Sequence, residues 1–348
     1  MLLVLALAAA IWGLGRLMGA SKQARAYMLG LLCVIVLALH VLLPDGHPVR
    51  MATGESPAPW LILGGFVAIA LAYAFVLRRV KARADATQPE PPAPAARKDR
   101  FSGAELERYA RHIVLRELGG PGQKALRDAK VLVIGAGGLG APALQYLAAA
   151  GVGVIGVIDD DVVENANLQR QVIHTDARIG MPKVFSAKEA MEAQNPHVEV
   201  RPYQRRLDAE VAETLFADYD LILDGTDNFD TRYLANRAAV ATGKPLVSGA
   251  LSQWEGQLSV FAPAQGTPCY ECIFPEAPAP GLAPSCAEAG VLGPLPGVVG
   301  AMMAVEAIKL IAGAGQPLLG EMLIYDALWS ETRKITLKRR EGCPVCGG

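Results

Sequence analysis

An excess of either charge is missing from this chain. Over 348 residues, 33 Lys and Arg stand against 34 Asp and Glu, a formal balance of −1, so nothing global points to nucleic acid as a partner. Cysteine is sparse, at six residues. Four of them form two C-x-x-C pairs, Cys269/Cys272 and Cys343/Cys346; Cys33 sits in an apolar run and Cys286 stands alone. That pattern speaks against the disulfide framework of a small secreted domain and suits a reducing compartment. No basic residue precedes the first apolar run, which argues against a cleaved signal peptide. No internal repeat is present.

What is there begins with a hidden asymmetry. Residues 1–97 hold nine Lys/Arg against four Asp/Glu, which leaves the remaining body at −6. Three apolar runs open the chain, Met1–Leu14, Ala26–Leu43 and Trp60–Leu77, the latter two 18 residues each. A helix of roughly 20 residues crosses the hydrocarbon core, so about three transmembrane helices are expected near 1–20, 26–43 and 60–77, within a membrane segment 1–83. The first run reaches Ala20 if Arg16 snorkels; the alternative is that it lies on the membrane surface. Arg16, Lys22 and Arg25 lie between runs one and two, and Arg78, Arg79, Lys81 and Arg83 follow run three, whereas only Arg50 lies between runs two and three. The positive-inside rule then puts the body on the cytoplasmic side of the inner membrane. Residues 84–100, Pro/Ala-rich, read as an extended linker.

From Phe101 onward the pattern is that of a doubly wound, mostly parallel α/β sheet. Ser102-Gly-Ala-Glu105 is a capping box that starts a helix. Strand-like runs at Lys130–Gly135, Val154–Asp159, Asp220–Asp224, Pro245–Ser248 and Gln257–Phe261 alternate with helix-like stretches at Leu139–Ala150, Lys183–Gln194 and Asn228–Thr242. Gly135-Ala-Gly137-Gly138-Leu-Gly140 joins strand to helix, the glycine-rich turn that lets backbone approach phosphate. Asp159 ends the next strand, where an acid can hold ribose hydroxyls. By itself this turn reads as a nicotinamide-dependent dehydrogenase.

The residues that follow point to triphosphate chemistry instead. Asn167-Leu168-Gln169-Arg170-Gln171, Met181-Pro-Lys183 and Asp224-Gly-Thr-Asp227-Asn228 come in order after the acid strand. Hydride transfer has no use for that Arg, Lys and carboxylate set. Arg170 and Lys183 can neutralise phosphate charge, and Asp227 can hold Mg²⁺. The two C-x-x-C pairs, with 70 residues between them, have the spacing of a closed, structural Cys₄ zinc site; the competing reading is a thioredoxin-like redox pair.

Together, Arg108-Tyr-Ala-Arg111-His, GAGGLG, DDDVVENANLQRQ, GMPK, LDGTDN and PLVSGAL make residues 101–348 resemble the MoeB/ThiF/HesA group of ubiquitin-activating-type adenylyltransferases. The resemblance implies that Gly138, Asp159, Asn167, Leu168, Gln169, Arg170, Lys183, Asp227 and Asn228 bind ATP and its metal. It also implies that Arg111 reaches the phosphates of a partner subunit in a homodimer; the plainer alternative is a salt bridge with a neighbouring Glu. The implied reaction is ATP-dependent adenylylation of the C-terminal Gly-Gly carboxylate of a small ubiquitin-fold sulfur-carrier protein, that of molybdopterin synthase being favoured over the thiamine carrier or a tRNA carboxylate. The acidic body, with no basic stripe, disfavours tRNA. Cys286 matches the family's loop cysteine, which forms a covalent link in some members and not in others. No rhodanese-like domain is present, so a separate sulfur donor is expected. A non-catalytic scaffold would have eroded ATP residues, and none is eroded here. The membrane segment departs from the soluble family pattern, and the sequence assigns it no purpose.

Overall fold

The structure, a computed structural model, describes residues 2–54, 56–87, 100–279 and 289–347; Cys286, the final glycine and residues 88–99 lie outside the described residues. The chain divides into two units, Met1–Ala95 and Ala96–Gly348.

The first unit consists of helices α1 (Leu2–Leu17), α2 (Lys22–Leu42), α3 (Pro48–Thr53) and α4 (Ala58–Thr87). α2 and α4 contain stretches long and apolar enough to cross a membrane, Gln23–Leu42 and Ala58–Leu77, while Leu3–Leu17 is shorter. Their apolar side chains are mostly exposed, apart from a small cluster of Val4, Val36 and Trp60. Between α2 and α4 the chain is capped by polar contacts. Arg50 pairs with Asp45 at 2.7 Å and donates to the Leu43 carbonyl, and the Trp60 indole donates to the Thr53 carbonyl. α4 runs four residues into the stretch expected to be extended. Ala84–Thr87 contains no proline, and Arg, Lys and Ala upstream favour helix, so nothing stops the helix before Pro89.

In the second unit, α5 (Gly103–Arg108) begins at a true capping box: Ser102 Oγ accepts the Glu105 N–H and Glu105 accepts the Ser102 N–H. α6 (Ala110–Ile113) and α7 (Gly119–Asp128) lead into an eight-stranded sheet. Its strands are β1 (Lys130–Ile134), β2 (Val154–Ile158), β3 (Glu199–Tyr203), β4 (Leu221–Asp224), β5 (Leu246–Leu251), β6 (Glu255–Phe261), β7 (Glu321–Asp326) and β8 (Glu331–Thr336). The order is β3-β2-β1-β4-β5-β6-β7-β8, parallel through β5 and antiparallel beyond it. Helices α8 (Gly140–Ala150), α9 (Lys183–Gln194), α10 (Ala209–Ala217) and α11 (Phe229–Thr242) connect the parallel strands; α12 (Tyr270–Ile273) and α13 (Pro294–Ala312) follow β6.

Both faces of β1 are covered, which explains its unbroken apolar run. Val131 and Val133 enter one core with α8 and α13, whereas Leu132 and Ile134 enter the other with α10 and α11. That alternation is the period of two expected for a strand. α13 is also apolar and long enough to cross a membrane, yet Val299, Met303 and Ala307 are buried against the sheet and α8, so it is a core helix.

Candidate active site

β1 is the point where the strand order reverses, with β2 and β3 to one side and β4 and β5 to the other. In such a sheet the crevice opens at the carboxyl ends beside that strand. Here it forms a cavity of 720 Å³ bordered by the turns after β1, β2 and β4.

The turn after β1 is as tight as glycine allows. Gly135 has φ +91°, and a Cβ on Gly140 would fall 1.8 Å from the Gly135 carbonyl oxygen. Gly137 and Gly138 border the cavity where α8 begins, so free N–H groups and the positive end of the helix dipole face an incoming anion. Asp159, just past β2, accepts the Ala136 N–H at 2.7 Å and the Asp161 N–H at 2.8 Å. Burial pushes its pKa up, while the nearby Lys183 ammonium and those two amides pull against that rise.

Two cations face the same space. Arg170 lines the cavity, braced by bonds to the Ala166 carbonyl and to Asn167 Oδ1, each 3.2 Å. Lys183 opens α9, only 5% exposed, and pairs with the exposed Asp161 at 2.7 Å. Asp227 and Asn228 line the cavity from the turn after β4. Asp227 is exposed, whereas Asn228 caps α11 by accepting the Thr231 N–H. Asp159, Asp160 and Asp161 also converge closely enough to share a cation.

The structure therefore brings together Gly138, Asp159, Arg170, Lys183, Asp227 and Asn228. It does not bring Asn167, Leu168 and Gln169 to the cavity wall: Asn167 holds Arg170, and Gln169 packs against Gly293. Arg111 is exposed on α6, away from the cavity, and forms no ion pair among the described residues. Cys286 lies outside the described residues.

Sequence reasoning passed over Arg232, which is buried with Asp224, the two 3.8 Å apart. Arg232 donates to the carbonyls of Thr226 and Gly249, and Asp224 accepts both the N–H and the hydroxyl of Thr226. This pair clamps the turn that presents Asp227. No local signal separates Arg232 from any helix-surface arginine. Arg205 and Arg206, after β3, and Tyr270 also line the cavity and were missed.

The four paired cysteines converge. Sγ–Sγ separations are 3.8 Å for Cys269–Cys272, 3.7 Å for Cys269–Cys343 and 3.4 Å for Cys272–Cys346, and all four sulfurs lie within 4.8 Å of one another. Four thiolates about 2.3 Å from a tetrahedral zinc sit about 3.8 Å apart, so the donor set fits that ion. Burial opposes ionisation of Cys343, but backbone N–H groups of Cys346 and Val345 and its thiol neighbours pull its pKa down to about 6. Burial pushes that of Cys269 up. Cys269 does cap a helical turn, α12, but one of four residues following an antiparallel strand, unlike a βαβ redox motif.

A doubly wound sheet whose switch-point crevice collects glycine amides, cations and carboxylates defines a nucleotide-binding α/β enzyme. The chain belongs to the ThiF family, whose family model matches residues 109–345. It is 51% identical over 252 residues to the sulfur carrier protein adenylyltransferase of Thermus thermophilus, covering 71% of this chain and 93% of that protein. It is 46% identical over 250 residues to the molybdopterin-synthase adenylyltransferase of Escherichia coli, covering 71% and 98%. The crystal structure of E. coli MccB with MccA-N7isoAsn shares the fold, with a TM-score of 0.61 and 23% identity over 71% of this chain and 76% of that one. The protein is an adenylyltransferase of an ATP-using family, and its relatives act on sulfur-carrier proteins.

Proposed function

We propose that the enzyme adenylylates the C-terminal Gly-Gly carboxylate of a small ubiquitin-fold sulfur carrier, the small subunit of molybdopterin synthase, for molybdenum-cofactor synthesis. The observation that carries this reading is the convergence of Gly138, Asp159, Arg170, Lys183, Asp227 and Asn228 on one crevice, in a chain 46% identical to a molybdopterin-synthase adenylyltransferase.

The chemistry follows from charge. The carrier's carboxylate is already ionised at neutral pH and attacks the α-phosphorus of ATP; a P–O bond forms, the bond to pyrophosphate breaks, and an acyl-adenylate results. No general base is needed. The protein's task is to position two anions and screen their repulsion. Arg170 and Lys183 neutralise the phosphates, the glycine turn donates backbone N–H groups, and Asp159 accepts from the ribose hydroxyls. Asp227 would hold Mg²⁺, whose positive charge would offset the negative charge of the departing pyrophosphate. Arg111, exposed and without an ion pair among the described residues, serves the crevice of a second copy in a homodimer as an arginine supplied in trans. The Cys₄ cluster would hold structural zinc. Cys286 is the candidate nucleophile for a later covalent step, which adenylate formation does not require; sulfur comes from a separate donor.

The first unit tethers the enzyme to the inner membrane, with catalysis on the cytoplasmic side. Two arginine–aromatic pairs support this as interface anchors: Arg25 over Trp12 at 4.6 Å and Arg79 over Phe75 at 4.8 Å. Protease digestion of the second unit from the cytoplasmic face alone is the expected result, and digestion from the opposite face alone would reverse the orientation.

ATP–pyrophosphate exchange by the full chain, with candidate Gly-Gly-terminated carriers supplied one at a time, tests the main reading. Exchange dependent on the molybdopterin-synthase small subunit is expected. Exchange with only the thiamine carrier would replace the substrate, and none with any carrier would remove the reading.

A further inference from the structure

The turn that meets the phosphates is held from beneath by His174. Ala136, the fully buried residue between the glycines, has its peptide gripped on both sides. Its N–H donates to Asp159 Oδ2 at 2.7 Å, and its carbonyl lies 2.9 Å from His174 Nε2. A carbonyl can only accept, so Nε2 carries the proton. The other ring nitrogen, Nδ1, is 2.9 Å from Ser186 Oγ, whose hydroxyl can donate to it. His174 is 5% exposed and Ser186 fully buried, so water does not compete for either bond. Burial, with Lys183 and Arg178 nearby, favours the neutral ring.

Ser186 lies one helical turn after Lys183 on α9, and its own carbonyl accepts from Arg178 at 2.9 Å. The chain of contacts Ala136–His174–Ser186 therefore ties the glycine turn to the helix that presents the phosphate-facing lysine. Glycines give that turn its shape but also leave it free to take others. A lock on the Ala136 peptide, between Gly135 and Gly137, removes that freedom.

We propose that His174 is a positioning residue for adenylylation: as the neutral Nε2–H tautomer set by the Ala136 carbonyl and held in orientation by Ser186, it fixes the Ala136 peptide and so holds the Gly137–Gly138 amides and Lys183 in one frame around the ATP phosphates. The proposal rests on the assignment of the crevice to ATP. It adds a residue that neither touches the nucleotide nor belongs to the glycine motif.

The test uses the full chain in detergent, with KM for ATP and for the carrier measured separately. His174→Phe keeps the ring volume and removes the donor. It raises KM for ATP by about tenfold, the loss expected for one buried hydrogen bond, and leaves the carrier KM unchanged. His174→Gln, whose amide can donate in place of Nε2, recovers most of that loss. Imidazole ¹⁵N shifts, resolvable among five histidines, put the proton on Nε2 in the wild type. Should His174→Phe fail to fold, Ser186→Ala serves: it removes the Nδ1 contact that orients the ring and raises KM for ATP, while the Ala136 carbonyl keeps the proton on Nε2. An unchanged ATP KM in a folded His174→Phe, equal losses in the Phe and Gln variants, a proton on Nδ1 in the wild type, or a silent Ser186→Ala would each overturn the proposal. A wild-type chain that exchanges no pyrophosphate with any carrier would instead overturn the ATP assignment beneath it.

Discussion

At the scale of single residues, the proposed function has the crevice supply charge where phosphates gather. Arg170→Ala and Asp227→Ala should each abolish pyrophosphate exchange while thermal unfolding stays near wild type, because Arg170 is only partly buried and Asp227 is exposed. Retained exchange in both would remove them from the phosphate site. His174 makes a second prediction. Burial holds its folded-state pKa below 6.5, so the unfolded chain takes up a proton that the folded chain refuses. Its contribution to stability is full above pH about 6.5 and is lost as the pH falls through that value toward the lower folded-state pKa. Melting temperatures from neutral to mildly acidic pH should drop more steeply in the wild type than in His174→Gln; equal slopes would contradict it. Residue identity made Arg170 and Lys183 legible, because an ordered set of charges after a glycine turn has few other uses. Arg232 was not legible. Its burial against Asp224 arises from strands and a helix that meet only in the folded chain. Removing one partner from such a pair costs about 3–5 kcal/mol, which marks Arg232 as a structural support of the Asp227 turn.

At the scale of elements, β1, β2, β4, β5 and β6 were readable in the sequence, and β3, β7 and β8 were not. β1, β2 and β4 are buried on both faces and spell themselves out as apolar runs. β3 is an edge strand that tolerates Pro202, and β8 is exposed along its whole length, so neither carries a hydrophobic signal. The polar alternation of Glu331–Thr336 becomes a strand only because β7 lies beside it. The cysteine pairs are the opposite case. Ligand spacing announced each half, and folding brought the halves within 4.8 Å. Chelation should therefore lower the melting temperature and release the C-terminal tail to proteolysis, with one zinc per chain lost as measured by metal analysis. A chain that holds no zinc and keeps its tail protected would sink the Cys₄ reading.

At the scale of the whole molecule, the proposed function places Arg111 at a crevice that it does not line in its own chain, where it is exposed. If a second copy supplies it, Arg111→Ala and Arg170→Ala chains, each inactive alone, should regain partial exchange when mixed and allowed to re-assort. Each mixed dimer then holds one site with Arg170 from one chain and Arg111 from the other. No recovery from chains proven to exchange would end the trans assignment. The sequence by itself determined the two-part organisation it predicts, the nucleotide-binding sheet and the chemical character of the site, because these rest on local patterns: apolar length, strand–glycine–helix order and ligand spacing. Only the tertiary structure decided which charges share the crevice, that α13 belongs to the core although it is apolar enough for a membrane, and that Arg232 and His174 brace the turns from behind. Burial and pairing are properties of what packs over a residue, and that partner is distant in the chain.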